Sequence, residues 1–129
     1  MTLLLDTHIL LWALMAPQRL PAPLRDALAD ASNKVLFSAV SIWEVSIKRS
    51  LGRPDFGFTP DDVIGAALAA QFTELPVTAR HAARVLDLPP LHADPFDRLL
   101  VAQALCEPAR LVTADRAVAA YPALIELVT

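Results

Sequence analysis

The chain has 129 residues, the size of one domain with room for a hydrophobic core. Its formal net charge of −3 excludes a broad basic surface, so any contact with a nucleic acid has to come from a local patch. The apolar fraction of 55% favours either a large core or an apolar surface that faces a partner or a second copy of the chain.

The cysteine content and the N-terminus indicate the compartment. Cys106 is alone, which excludes a disulfide framework or a cysteine-based zinc site within the chain. The N-terminus lacks the positive region of a signal peptide, and Asp6 interrupts an apolar run at residues 3–16 that is too short to span a bilayer. We therefore expect a soluble protein of the reducing cytoplasm, with no membrane partner.

The first half of the chain predicts two strands and four helices. The strands are residues 2–5 and 34–38. The first helix is residues 7–15, and the fourth is about 59–70. Between them, Pro21 and Pro23 introduce a second helix that carries Leu24, Leu28 and Ala31, and a third helix runs through Trp43, Ile47 and Leu51. The unbroken leucines at 3–5 are typical of a strand buried on both faces. Pro17 ends the first helix and Gly52 ends the third, which leads into a loop at 52–58.

The second half continues the alternation of strands and helices. The predicted elements are a strand at 72–75, a helix at 78–86, a loop at 88–93, a helix at 95–106, a strand at 110–113, a short helix at 116–120 and a strand at 124–127. Such alternation favours a parallel sheet covered on both faces and joined by right-handed crossovers. The prediction is an α/β protein, a three-layer α/β/α single domain over residues 1–129 with a central parallel sheet.

Four acidic residues stand at strand ends, helix starts or a helix face: Asp6, Glu44, Asp97 and Asp115. In an open α/β sheet, ligands bind beyond the carboxyl ends of the strands, where these side chains can meet. Gathered carboxylates repel one another and resist ionisation unless a cation lies among them. Oxygen ligands without paired cysteines or histidines favour Mg²⁺ or Mn²⁺. We therefore predict a metal-dependent site that cleaves phosphodiester bonds.

Each acid also has an ordinary structural interpretation. Asp6 and Asp115 follow strands at positions typical of helix N-caps. Asp97 falls in the first turn of a helix, where the dipole favours a negative charge. Asp94 already fills the cap position there, because Pro95 follows it at the first helical position. This leaves Asp97 available as a ligand.

Glu44 has two ordinary interpretations of its own. It fits a capping box with Ser41 and an i,i+4 surface pair with Lys48. However, it also lies beside Trp43 and Ile47, on the helix face that we expect to pack inward. A carboxylate at the edge of a buried stripe favours a role in a site.

Basic residues near these acids are candidates for contacts with RNA phosphates: Lys48, Arg49, Arg53, Arg98 and Arg116. The ordinary explanation for the first three is a solvated helix end whose cations suit the helix dipole. The three histidines, His8, His81 and His92, show no metal-ligand spacing, so we expect them at helix starts or in loops and not as ligands.

Four segments of the sequence resemble one known family. They are LLLDTH at 3–8, SAVSIWEVSIK at 38–48, DPFDRLL at 94–100 and LVTAD at 111–115. In this order and at this spacing they resemble the PIN-domain ribonucleases, and most closely the VapC-type toxins of bacterial toxin–antitoxin pairs. Each segment alone is weak, whereas the four together are specific and cover essentially the whole chain.

The resemblance implies a function and an assignment of residues. By resemblance, Asp6, Glu44, Asp97 and Asp115 form the acidic quartet of a Mg²⁺-dependent endoribonuclease, with Asp6 and Asp97 as the principal metal ligands and Mn²⁺ as a plausible substitute. Asp94 matches an acid that is common only in this subgroup. Hydrolysis would leave 5′-phosphate and 3′-hydroxyl ends. The resemblance also implies a homodimer and a small antitoxin whose tail enters the acidic cleft.

Two alternatives come from other classes of protein. A response-regulator receiver domain would need an adjacent acidic pair after the first strand and a phosphorylatable aspartate at the end of a central strand. Here Asp6 is followed by Thr7, and Asp55 stands in a Gly/Pro loop. A non-catalytic RNA-binding or partner-binding module with the same fold is the second alternative, and it would lack metal-dependent cleavage.

Overall fold

The structure, a computed structural model, describes residues 1–54 and 56–128. Within these residues the strands are Thr2–Leu5 (β1), Lys34–Ser38 (β2), Thr73–Leu75 (β3), Arg110–Thr113 (β4) and Ile125–Leu127 (β5). The α-helices are Thr7–Met15 (α1), Ala22–Ala29 (α2), Ala39–Ser50 (α3), Pro60–Ala69 (α4), Ala79–Arg84 (α5), Pro95–Cys106 (α6) and Arg116–Ala119 (α7). Short 3-10 helices span Pro17–Arg19 and Val85–Asp87. Asp55, expected in the loop at 52–58, lies outside the described residues.

The five strands form one parallel sheet in the order β3-β2-β1-β4-β5. β1 lies at the centre, with Leu4 opposite Leu36 of β2 on one side and Leu111 of β4 on the other. The chain therefore builds the sheet outward from β1 in both directions. A crevice forms at such a reversal, beyond the carboxyl ends of the strands, and this is where ligands bind in open α/β sheets.

Helices cover both faces of the sheet, which confirms the predicted α/β/α layers. Leu3 and Leu5 of β1 face a core that includes Ile9 of α1. Leu4 points to the opposite face and belongs to a second core that includes Leu100 of α6. Successive residues of a strand point to opposite faces, so an all-leucine strand buries side chains on both. No helix within the described residues is long and apolar enough to span a membrane.

Most predicted boundaries hold, with two corrections. The second helix ends at Ala29, so Ala31 lies beyond it in an exposed turn. The helix predicted at 78–86 is α-helical only to Arg84 and continues as a 3-10 turn, in which the Leu88 amide bonds to the Val85 carbonyl. The predicted end of α3 is confirmed, because Gly52 adopts a left-handed φ of 72° just past the helix.

The orientation of α3 differs from the prediction at one residue. Trp43 was expected on the inward face, but 52% of its surface is exposed. The buried stripe of α3 comprises Val40, Ser41, Glu44 and Val45. These positions repeat at the 3.6-residue period, and Trp43 falls outside the stripe. Glu44 is therefore buried, whereas the adjacent Trp43 side chain is exposed.

Candidate functional site

The four predicted acids share one cavity beyond the carboxyl ends of β1 and β4. Its volume is about 160 Å³, and its lining consists of Asp6, Thr7, His8, Glu44, Lys48, His92, Asp94, Asp97 and Asp115. The acids come from four separate segments of the chain, which only the sheet and the helices packed against it bring together. The cavity thus contains every candidate catalytic residue of the sequence analysis.

Asp6 is both a helix cap and a member of the site. Its Oδ1 accepts a 2.9 Å hydrogen bond from the Ile9 amide, which caps α1, and its Oδ2 accepts a 2.5 Å bond from the Thr113 hydroxyl. Asp6 is 6% exposed. Desolvation by burial raises the pKa of Asp6, and the bonds from Thr113 and Ile9 offset only part of this effect. Asp6 is therefore the expected N-cap of α1. Capping uses only Oδ1, so it does not explain why Oδ2 is held by Thr113.

Glu44 is held by its neighbours inside the cavity. The Thr7 hydroxyl donates a 2.7 Å hydrogen bond to Oε1, and Lys48 Nζ lies 2.5 Å from Oε2. The pair with Lys48 was expected on the surface, whereas Glu44 is only 3% exposed. The expected capping box with Ser41 is absent, because Ser38 caps α3 by accepting a bond from the Val40 amide. Glu44 is thus a buried member of the site.

Asp97 lies in the first turn of α6, whose N-cap is Asp94, as predicted. The pKa of Asp97 is raised from 3.8 to about 7, and burial is the largest cause. Repulsion from nearby carboxylates adds to this rise, in decreasing order from Asp94, Asp6 and Glu44, while the charge of His92 lowers the pKa in part. Such a carboxyl group binds a proton readily near neutral pH. A cation in the cavity would favour its ionised form instead.

Asp115 and Asp97 both approach His92, which the sequence analysis did not expect at the site. Asp115 Oδ1 caps α7 by accepting a bond from the Ala117 amide, as predicted, while its Oδ2 lies 3.2 Å from His92 Nε2. The same Nε2 lies 3.1 Å from Asp97 Oδ2. His92, Asp97 and Asp115 offer ligand atoms close enough together to hold a metal ion.

Partly buried hydrogen bonds with Tyr121 and Arg98 hold the loop that carries His92. The His92 amide donates a 2.9 Å hydrogen bond to the Tyr121 hydroxyl oxygen, which also accepts a 2.9 Å bond from Arg98. Arg98 donates further bonds to the carbonyls of Pro89, Val85 and Leu88. The guanidinium of Arg98 therefore ties the loop before α6 to Tyr121 and does not face the cavity. The guanidinium is thus engaged within the protein, and contact of Arg98 with RNA stays a prediction.

The remaining basic and histidine candidates fall in different places. Lys48 and His8 line the cavity. Arg49 is exposed and donates to the Gly57 carbonyl. Arg53 and Arg116 are exposed, in the turn after α3 and at the start of α7 respectively. His81 is at a helix start, as predicted, and it is buried away from the cavity.

His81 belongs to a separate polar network. Its Nδ1 accepts a 3.1 Å hydrogen bond from the Thr78 amide, and its Nε2 lies 2.7 Å from Glu107 Oε2. Gln103 links this histidine to the Ser38 hydroxyl, which donates a 2.5 Å bond to Gln103 Oε1. Buried polar atoms need such partners. The network therefore ties α5, α6 and the start of α3 together.

The donor set of the cavity fits a divalent cation. The cavity lining offers carboxylate oxygens and the imidazoles of His8 and His92, and it includes no cysteine. Carboxylate oxygens suit Mg²⁺ and Mn²⁺, while imidazole nitrogens suit transition metals. The raised pKa values of Asp6 and Asp97 result from burial first, and repulsion from neighbouring carboxylates adds to it.

A comparison with known families agrees with this geometry. The model of the PIN domain family matches residues 3–124. The chain belongs to the PIN domain family. All four predicted acids, Asp6, Glu44, Asp97 and Asp115, lie within the matched part of this PIN domain. No curated protein matches the sequence significantly.

Solved structures share the fold of this PIN domain at low sequence identity. VapBC2 from Rickettsia felis, bound to a DNA fragment from its promoter, has a TM-score of 0.76 at 18% identity, with 100% of both chains covered. DNA-bound VapBC from Salmonella typhimurium has a TM-score of 0.70 at 14% identity, with 98% of this chain and 97% of that chain covered. VapBC-1 from nontypeable Haemophilus influenzae scores 0.66 at 15% identity, with 98% of each covered. At these identities the similarity establishes the fold.

Proposed function

We propose that the chain is a Mg²⁺-dependent endoribonuclease, the toxin component of a toxin–antitoxin pair. The observation that carries the proposal is the meeting of Asp6, Glu44, Asp97 and Asp115 in one cavity of a PIN domain. The cavity is small and acidic, so it suits a metal ion and one phosphate group. The structural similarity to toxin–antitoxin complexes supports the biological setting.

In this proposal the acids divide the work of phosphodiester hydrolysis. Asp6 and Asp97 hold the metal, which, when bound, supplies Lewis acidity toward a phosphate oxygen and lowers the pKa of water. Glu44 or Asp115 orients the attacking water or completes the metal site. The hydrogen bonds to Asp6 from Thr113 and Ile9 fix this carboxylate in place before substrate arrives. In-line attack leaves 5′-phosphate and 3′-hydroxyl ends.

Basic residues around the cavity would contact the RNA backbone. Lys48 lines the cavity beside Glu44 and is the best placed of them. Arg49, Arg53 and Arg116 are exposed and extend the candidate surface. Contacts of this kind position the phosphates without reading the base sequence. We therefore propose that these four residues align the RNA strand across the site.

The proposed partners are an antitoxin and a second copy of the chain. A basic side chain from the antitoxin tail would pair with the acids of the cavity and compete with the metal. The high apolar content of the chain supports an apolar surface for one or both partners. We propose that two copies of the chain form a homodimer.

The decisive experiment compares RNA cleavage by the wild type with that by Asp6→Asn. We expect cleavage in Mg²⁺ that stops in the variant, because the substitution removes a metal-binding charge from a buried position. Asp26→Asn is the matched control, since it makes the same change at an exposed acid of α2. Equal activity of the Asp6 variant would contradict the proposed site. A wild type that binds RNA without cleaving it would favour the non-catalytic alternative.

A further inference from the structure

An exposed aromatic pair lies beside the acidic cavity. Trp43 of α3 leaves 52% of its surface exposed, and Phe96 of α6 is partly buried. The two ring centroids are 4.9 Å apart, and the rings meet edge to face at 70°. Trp43 directly precedes Glu44, and Phe96 directly precedes Asp97, both of which line the cavity. The aromatic pair therefore borders the proposed reaction site.

Lys48 connects the aromatic pair to the cavity. Its Nζ lies 2.5 Å from Glu44 Oε2 and 5.9 Å from the centroid of the Phe96 ring. A cation, an aromatic pair and the acidic cavity thus adjoin one another on one surface. A nucleotide offers complementary groups in the same arrangement, namely a phosphate and a planar base.

Charge alone does not attract RNA to this chain. The net charge is −3, and the cavity itself is lined by acids. The counterion release that dominates binding to strongly basic proteins is correspondingly small here. Stacking of bases on aromatic rings contributes binding energy without a basic surface, and it operates on unpaired bases. An aromatic contact next to the cavity would therefore add binding energy to the contacts that the nearby basic residues make with phosphates.

We propose that Trp43, supported by Phe96, stacks one unpaired base of a single-stranded RNA substrate beside the phosphate to be cleaved. This inference rests on the proposed function. Phe96 meets the indole edge to face, a contact that favours this orientation of the Trp43 ring. Other exposed apolar residues such as Leu68 and Leu86 are aliphatic, so they provide no aromatic ring on which a base can stack.

The test measures the fluorescence of Trp43 during titration with RNA. Trp12→Phe leaves Trp43 as the one tryptophan, and Asp97→Asn in the same chain keeps bound RNA intact. The probes are a single-stranded uridine oligonucleotide and an abasic oligonucleotide with the same sugar–phosphate backbone. Circular dichroism verifies that each variant is folded.

We expect the uridine oligonucleotide to quench the fluorescence, and the abasic one to bind more weakly and quench little. Variants of Trp43 lack this fluorophore, so their binding is measured by the fluorescence polarisation of a dye-labelled uridine oligonucleotide. Trp43→Ala should weaken binding by roughly 5- to 150-fold, the equivalent of one stacked base. Trp43→Phe should recover much of this loss. Leu86→Ala, at a side chain that is 88% exposed, is the control and should bind as the parent does.

Three results would overturn the stacking proposal: equal binding of both oligonucleotides, unchanged affinity after Trp43→Ala, or no RNA binding. A Trp43→Ala variant that dissociates a dimer in sedimentation and binds RNA normally would assign the ring to contact between copies instead. The proposed function is tested separately, by cleavage with the wild type. Base-dependent quenching without cleavage would support the stacking proposal and contradict the proposed nuclease activity. Cleavage that Trp43→Ala leaves unchanged would support the nuclease activity and contradict the stacking proposal.

Discussion

The Thr113 hydroxyl donates a 2.5 Å hydrogen bond to Asp6 Oδ2, although the two residues are 107 positions apart in the sequence. Thr113 ends β4 and Asp6 follows β1, and these strands pair in parallel with Leu5 opposite Val112. The same Thr113 oxygen accepts a 3.0 Å bond from the Asp115 amide. The buried Thr113 hydroxyl therefore orients the carboxylate of Asp6 and the backbone of Asp115, a second acid of the cavity.

The first prediction concerns this hydroxyl. Thr113→Val keeps the shape of the side chain and its preference for a strand but leaves Asp6 Oδ2 without its donor. We expect unfolding in urea to require about 1–3 kcal/mol less free energy, and the pKa of Asp6 to rise further. Thr113→Ser restores the hydroxyl and should recover the bond. A valine variant as stable as the wild type would show that the hydrogen bond contributes nothing net.

The second prediction concerns pH and the stability of the protein in chelator. The pKa of Asp97 is about 7 in the folded chain and 3.8 ordinarily, so between about pH 4 and 7 the folded state binds more protons than the unfolded state. The free energy of unfolding should therefore fall as the pH rises through this range. The raised pKa of Asp6 acts in the same direction. Stability that rises between pH 4 and 7 would contradict the pKa of Asp97.

The third prediction separates the charge of Asp97 from its place in the fold. Asp97→Asn should lower RNA cleavage by orders of magnitude and raise stability at pH 8 by at least about 1 kcal/mol, because each unit of pKa shift corresponds to about 1.36 kcal/mol. If Asp97 only complements the dipole of α6, the variant should instead lose roughly 0.3–1 kcal/mol and remain active. Urea unfolding and RNA cleavage distinguish these results. Asp26→Asn serves again as the control for charge.

The fourth prediction concerns the metal. RNA cleavage should stop in EDTA and return with Mg²⁺ or Mn²⁺, and saturating metal should raise the thermal midpoint because it binds the folded state. The ends of the products provide a second measurement, with 5′-phosphates expected from hydrolysis by water. Cleavage that persists in chelator and leaves cyclic phosphates would indicate a histidine mechanism through the 2′-hydroxyl. His8 and His92, the histidines that line the cavity, would then be the candidates.

The fifth prediction concerns the antitoxin. If a basic residue of its tail pairs with the acids of the cavity, metal and tail compete for the same carboxylates. The affinity of the antitoxin should fall as Mg²⁺ is raised at fixed ionic strength, which titration calorimetry measures. Asp97→Asn should reduce this dependence. An affinity that does not respond to Mg²⁺ would show that the antitoxin binds elsewhere, for example over Lys48 and Arg53.

The sequence by itself determined the layers of the fold and the edge of the sheet where the acids meet. Leucines at 3–5 predict a strand buried on both faces, and alternating strands and helices predict a parallel sheet. Parallel strands end at a common edge, so Asp6 and Asp115, which follow two of them, were expected near each other. Such signals are local, because periodicity, caps and strand ends involve residues close together in the chain.

The tertiary structure alone decided which side chains complete the site. The loop before α6 carries His92 to Asp97 and Asp115 because Tyr121 and Arg98 hold it there, and no spacing in the sequence encodes that course. The rotation of α3 about its own axis could not be predicted from the sequence either. A helical period of 3.6 predicts that one stripe is buried, but the phase of that stripe depends on the neighbours that pack against it. These contacts join residues far apart in sequence, so only the assembled layers determine that Glu44 faces the cavity and Trp43 faces solvent.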